Sequence, residues 1–132
     1  MADSLLDEII QDTLESVMFT QSGVVLDFGD AWFTAHVWPT ISIAETVWAF
    51  GDRGYRDALC AFISHPVTAV DSSPETGLVL AFGLGSITTN PEPTDPVGPE
   101  IAQLAIYNPM HQISRLAVWR PSEAPYTGSA WS

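Results

Sequence analysis

Gly23-Val24-Val25-Leu26-Asp27-Phe28-Gly29 and Gly77-Leu78-Val79-Leu80-Ala81-Phe82-Gly83 agree at five of seven positions when the chain is slid by 54 residues, and Thr34 then falls on Thr88. In both stretches β-branched and large apolar residues run between glycines, as in a strand bounded by turns. Working outward, at an offset of 53 Leu5, Leu6, Ile9 and Ile10 fall on Ala58, Leu59, Phe62 and Ile63, and Leu14 and Val17 on Val67 and Val70. The first set has the spacing of one helical stripe, the second that of inward strand positions. A heptad can recur by chance; a heptad preceded by a matching stripe reads as a duplication.

Each unit is expected to run helix (about 4–11 and 54–64), strand (13–20 and 66–71), strand (23–28 and 77–83) and strand (31–38 and 85–89). Pro66 closes the second helix, because the residue before a proline is pushed out of the α region. Gly29-Asp30 and Gly83-Leu84-Gly85 supply positive-φ options for hairpin turns. Ile41 to Phe50 reads as one further strand. Asn90 to Pro99 holds four prolines and reads as a loop, followed by strands near 100–107 and 113–120 that turn at Asn108-Pro109. The expected fold is α+β, dominated by an antiparallel sheet, with two helix-plus-hairpin repeats (about 4–50 and 54–107) related by a pseudo-two-fold. One domain over 1–120 and a tail over 121–132 complete it, the tail being rich in small and turn-forming residues.

The pattern Val67-x-x-Val70, a short turn, Leu78-x-Leu80-x-Phe82-x-x-Gly85, then Pro99-Glu100 and a closing Leu116-Ala117-Val118-Trp119, resembles a group of small uncharacterised domains from high-GC bacteria. The resemblance implies a role for some members as immunity proteins of polymorphic toxins. It supplies no catalytic residue. In such domains a Trp often stands two residues after the Glu, where this chain has Ala102.

Charge is the strongest compositional signal. The 132 residues carry 16 acids against four Lys or Arg, a formal charge of −12. Residues 1–52 hold Asp3, Asp7, Glu8, Asp12, Glu15, Asp27, Asp30, Glu45 and Asp52 and no base. Such a field repels phosphate and draws cations, which argues against direct nucleic-acid or anionic-membrane binding and for a basic protein partner. Charged residues are 15% of the chain, against about 25% in an average soluble domain, so uncharged surface is also free for self-association. No apolar run reaches a membrane span, and Asp3, Asp7 and Glu8 replace the basic region of a signal peptide, so a cytoplasmic location is expected. The single Cys60 fits a reducing compartment.

No chemistry emerges from the motifs. His36, His65 and His111 stand at no metal-ligand spacing, and Cys60, among Ala58, Leu59, Ala61 and Phe62, reads as a small hydrophobe rather than a thiol nucleophile for His65. Gly83-Leu84-Gly85 lacks the third glycine and the helix of a phosphate loop. No cofactor or metal is implied, and the expected function is that of a non-enzymatic interaction protein, with a homodimeric structural or small-ligand module as the alternative.

One face is singled out. If residues 31–38 are a strand, Phe33, Ala35 and Val37 point one way and Trp32, Thr34, His36 and Trp38 the other. Carried over by 54, Phe33 becomes Ile87, whereas Trp32, Thr34 and His36 become Ser86, Thr88 and Asn90, so the Trp32 side is expected outside. Trp32, His36 and Trp38, ringed by Asp27, Asp30, Asp7, Glu8 and Asp12, form the candidate partner-binding set. The competing reading makes this face a second core under Tyr126, Trp131 or the Ile41 to Phe50 segment.

Overall fold

A computed structural model describes residues 5–73, 77–90, 101–120 and 129–131. After a 3-10 helix, Leu5–Ile9, come β1 (Ser16–Phe19), β2 (Val24–Asp27), β3 (Ala31–Ala35), β4 (Thr40–Ile43) and β5 (Thr46–Trp48). An α-helix, α1 (Tyr55–Cys60), precedes β6 (Val67–Ser73), β7 (Gly77–Phe82), β8 (Gly85–Thr89), β9 (Ala102–Tyr107), β10 (Ile113–Trp119) and β11 (Ser129–Trp131). The architecture is sheet-dominated with little helix. It has two antiparallel sheets, in the orders β1-β2-β3-β9-β10-β11 and β5-β4-β8-β7-β6.

The alternation of side chains explains why two layers form. In the first sheet one set of cross-strand rows is Val17, Leu26, Phe33, Leu104, Ala117 and Phe19, Val24, Ala35, Ala102, Trp119. In the second it is Val70, Leu80, Ile87, Ile41, Trp48. These residues, with Leu5, Leu6 and Ile9 of the 3-10 helix and Tyr55, Ala58, Leu59 and Phe62 of the α1 region, merge into one apolar cluster. A strand with one apolar side needs such a partner layer to hide it from water. Phe62 meets Phe82 edge-on at 4.8 Å, which ties the α1 region to the second sheet.

Several elements differ from the sequence reading, each for a local reason. The first helix is a 3-10 turn that ends where Gln11 adopts φ 80, and the second stops at Cys60, with Ser64 at φ 79 before Pro66. Ile41 to Phe50 is not one strand but the β4–β5 hairpin, closed by Ala44-Glu45 with Ala44 at φ 56. A left-handed alanine gives no glycine signal, so the turn is silent in the sequence. β3 ends at Ala35 rather than at residue 38, and the chain crosses between the sheets over 36–39.

The glycines of the two central turns also work differently from each other. Gly29, at φ 88, makes the β2–β3 turn, with the Phe28 N–H donating to Ala31 O at 2.8 Å. Gly85 has no positive φ; a Cβ there would sit 2.0 Å from the Ser42 carbonyl oxygen, so the residue is small because β4 lies against it. The Asn108-Pro109 turn is as expected: the Asn108 carboxamide oxygen accepts the N–H of Met110 (2.9 Å) and of Gln112 (3.0 Å).

Candidate interaction surface

Trp32 is the second residue of β3, opposite Asp27 of β2 on one side and Ala105 of β9 on the other. Its neighbours along the strand, Ala31 and Phe33, are buried in the core, so Trp32 faces away from the second sheet. The indole meets the Tyr107 ring edge-on, with centroids 6.0 Å apart and planes at 69°. Tyr107 is paired in turn with Ile113, which is 54% exposed at the start of β10, beside the exposed Met110 of the turn. The next outward row is Met18, Val25, Thr34, Gln103 and Val118, of which Met18 is exposed while Val25 and Val118 are buried, as is Ala105 beside Trp32. The face is therefore an aromatic and apolar surface on a rigid sheet.

Carboxylates gather at one end of it. Asp27 is held in place because its Oδ1 accepts the Gly29 N–H at 2.7 Å. The Glu15 carboxylate lies over the same glycine, so close that a Cβ on Gly29 would sit 2.8 Å from Oε2. Asp30 follows in the turn, and its backbone oxygen accepts the Tyr107 N–H at 2.8 Å, which fixes the acid beside the Trp32–Tyr107 pair. Asp12 comes from the segment before β1. Its pKa is raised, first by burial and then by the charges of Asp30 and Glu8. Glu8 is bridged to Arg115 of β10 at 2.5 Å, an ion pair about half exposed at both ends.

The eight singled-out residues therefore separate. Trp32 and Asp27 are direct neighbours on the outward row and Asp30 follows in the turn, whereas Asp12 feels the charges of Asp30 and Glu8, and Glu8 is held by Arg115, whose row with Ile106 and Ala31 faces the core. Asp7 is exposed on the 3-10 helix, and His36 is exposed just beyond the far end of β3, its backbone N–H bonded to Ile101 O at 2.8 Å. Trp38 is not on β3 at all. It lies in the crossover to β4 and stacks on Phe50 at 4.1 Å with planes 15° apart, and Phe50 meets Tyr55 edge-on at 5.9 Å. The two tryptophans share no ring partner.

The reading missed Tyr107, Ile113, Glu15 and Arg115, all brought in by the β3–β9–β10 pairing or by the β2–β3 turn. Only knowing that β9 inserts beside β3 could have found them. Of the segments expected to cover the Trp32 face, β4 and β5 belong to the other sheet, and β11 pairs with the far edge of β10. Tyr126 lies outside the described residues.

Cys60 is exposed on α1 rather than packed as a small hydrophobe. Among the described residues no three His, Cys, Asp or Glu side chains are grouped to hold a metal ion, and no helix is long and apolar enough to cross a membrane. No family model matches the chain, and neither the curated proteins nor the solved structures include a match to it.

Proposed function

We propose that this chain is a non-enzymatic interaction protein that presents the Trp32 face to a basic protein partner. The observation that carries the reading is the juxtaposition of the Trp32–Tyr107 pair with Asp27 and Asp30. Interfaces draw most of their affinity from a few aromatic anchors, while opposite charge speeds encounter and fixes orientation. A half-buried aromatic pair on a sheet, flanked by carboxylates at the β2–β3 turn, supplies both parts. The most concrete form of the reading is an immunity-type inhibitor that caps a basic toxin domain in the cytoplasm. Its test is co-expression with the product of an adjacent toxin-like gene. The intact chain should protect the cell and co-elute as a complex that weakens at high salt, and Trp32→Ala should lose both. Protection that survives Trp32→Ala would remove the Trp32 face from the function.

We also infer that residues 4–50 and 54–107 are two copies of one unit, related by a pseudo-two-fold. Pairing registers support it: Val17 with Leu26 and Leu26 with Phe33 in the first sheet, Val70 with Leu80 and Leu80 with Ile87 in the second. Each unit's later strands join the other unit's sheet, β4 against β8 and β9 against β3. The isolated bridge between Thr13 and Pro66 joins two residues 53 apart, as an axis through that point requires. On this reading the Trp32 face is a specialisation of one copy.

A further inference from the structure

Away from the Trp32 face, a recess of about 340 Å³ opens over residues 50–57, on the loop that joins β5 to α1. Two of the chain's four cationic side chains, Arg53 and Arg56, line it, in a molecule of net charge −12. The loop is firmly built. The Asp52 carboxylate accepts the Ala49 N–H at 2.8 Å, the Tyr55 hydroxyl donates to the Pro39 carbonyl at 2.6 Å, and Phe50 is stacked on Trp38. Gly51 and Gly54 take φ 98 and 88, backbone that a side chain would strain. Two groups are left open on this scaffold. Phe50 remains 52% exposed, and the Arg53 guanidinium has no hydrogen bond or ion pair among the described residues. Arg56 is occupied, lying over the Phe19 ring at 5.7 Å.

We propose that this recess binds an aromatic monocarboxylate, its ring packed on Phe50 and its carboxylate on Arg53. The guanidinium's fork of parallel donors matches a carboxylate, and a ring held beside it gains the contact that an aliphatic acid lacks. The charge of the ligand is limited by the surroundings. At physiological salt the screening length is about 8 Å, so the distant acids count for little, but Asp52 and Asp57 line the recess itself and oppose every further negative charge. A single carboxylate is compensated by Arg53; a polyphosphate is not.

The experiment titrates the full-length protein, labelled with nitrogen-15, with phenylacetate, and follows the backbone amide resonances. Saturable shifts are expected at Gly51, Arg53 and Gly54. Arg53→Gln should weaken binding about tenfold or more, the scale of one lost charge-assisted hydrogen bond. Phe50→Ala should weaken it too, while Arg115→Gln, at the acidic end, should leave it unchanged. Arg53 is exposed, so an unaltered spectrum of the free Arg53→Gln variant shows that the fold is kept. Shifts that do not saturate, affinity that survives Arg53→Gln, or cyclohexylacetate or ATP binding as well as phenylacetate would each overturn the proposal.

Discussion

The two sheets turn similar residues inward and different residues outward. Inside, both present Leu, Ile, Val and aromatic side chains to one cluster. Outside, the second sheet shows the rows Asp71, Val79, Thr88, Thr40 and Ala69, Ala81, Ser86, Ser42, Val47, which hold one charge and no aromatic residue, with Val47 exposed at the edge. The first sheet shows Asp27, Trp32, Ala105 and Leu116 in one row, with Tyr107 and Ile113 beside them. The second sheet demonstrates that a layer of this kind needs no outward aromatic residue. Trp32 and Tyr107, half-buried beside the buried Ala105, are therefore what sets the outer side of the first sheet apart, and the proposal assigns them to recognition.

The inward half of that comparison carries the largest expected effect. Phe28 and Phe82 are each 5% exposed and belong to the same core cluster, Phe28 just after β2 in the first sheet and Phe82 at the end of β7 in the second. Phe28→Ala and Phe82→Ala should each cost about 3–5 kcal/mol in denaturant melts, the usual range for truncating a buried aromatic ring. If the two units are copies, the two costs should also be similar. A loss below about 1 kcal/mol at one site and a full loss at the other would break the equivalence of the layers.

The tryptophans separate the outward face from the crossover. Trp38 packs against the core and stacks on Phe50, and the neighbouring Tyr55 is buried, its hydroxyl pushed up to about 12 by that burial and hydrogen-bonded to Pro39. Trp38→Ala should cost roughly 1–3 kcal/mol, less than a full core truncation, and leave partner capture intact. Trp32→Ala loses one edge-on ring contact, worth about 0.5–1.5 kcal/mol, and should abolish capture. The reverse pattern, with binding lost only in Trp38→Ala, would move the recognition surface to the crossover.

The strands and the inward pattern were legible because period-two alternation and the recurrent Gly-x-Val-Leu-x-Phe-Gly report burial directly. Strand pairing was not. Nothing in residues 85–107 says that β9 leaves its neighbour β8 and inserts beside β3, because that choice depends on a long connection and on tertiary packing. Tyr107 and Ile113 were invisible as neighbours of Trp32 for that reason. Trp38 was misassigned because alternation was extended past Ala35, and the bend at 36–37 carries no glycine or proline of its own. Glu8 lies on the 3-10 helix, Asp12 in the segment after it and Asp30 in a turn, where a local reading already places charged groups.

The smallest expected effect tests whether those acids were assembled at a cost to the fold. The pKa of Asp12 is raised by burial and by its neighbours Asp30 and Glu8, so its charged form is less favourable in the folded chain than in the unfolded one. The group thus contributes stability that is fully present below its unfolded value of 3.8, and that contribution is lost as pH rises through the higher folded value. At neutral pH the charge is a small burden on the fold. Asp12→Asn removes it while keeping the backbone bond from the Val67 N–H to the residue-12 carbonyl, which measures 2.9 Å. Equilibrium melts should then find Asp12→Asn slightly more stable than the parent at pH 7, with the difference closing as pH falls below 3.8. Salt should shrink it as well, since part of the burden is repulsion between partly exposed carboxylates. A variant that is less stable at pH 7 would mean that Asp12 serves the fold, and that the acidic end is structural rather than held in place for a partner.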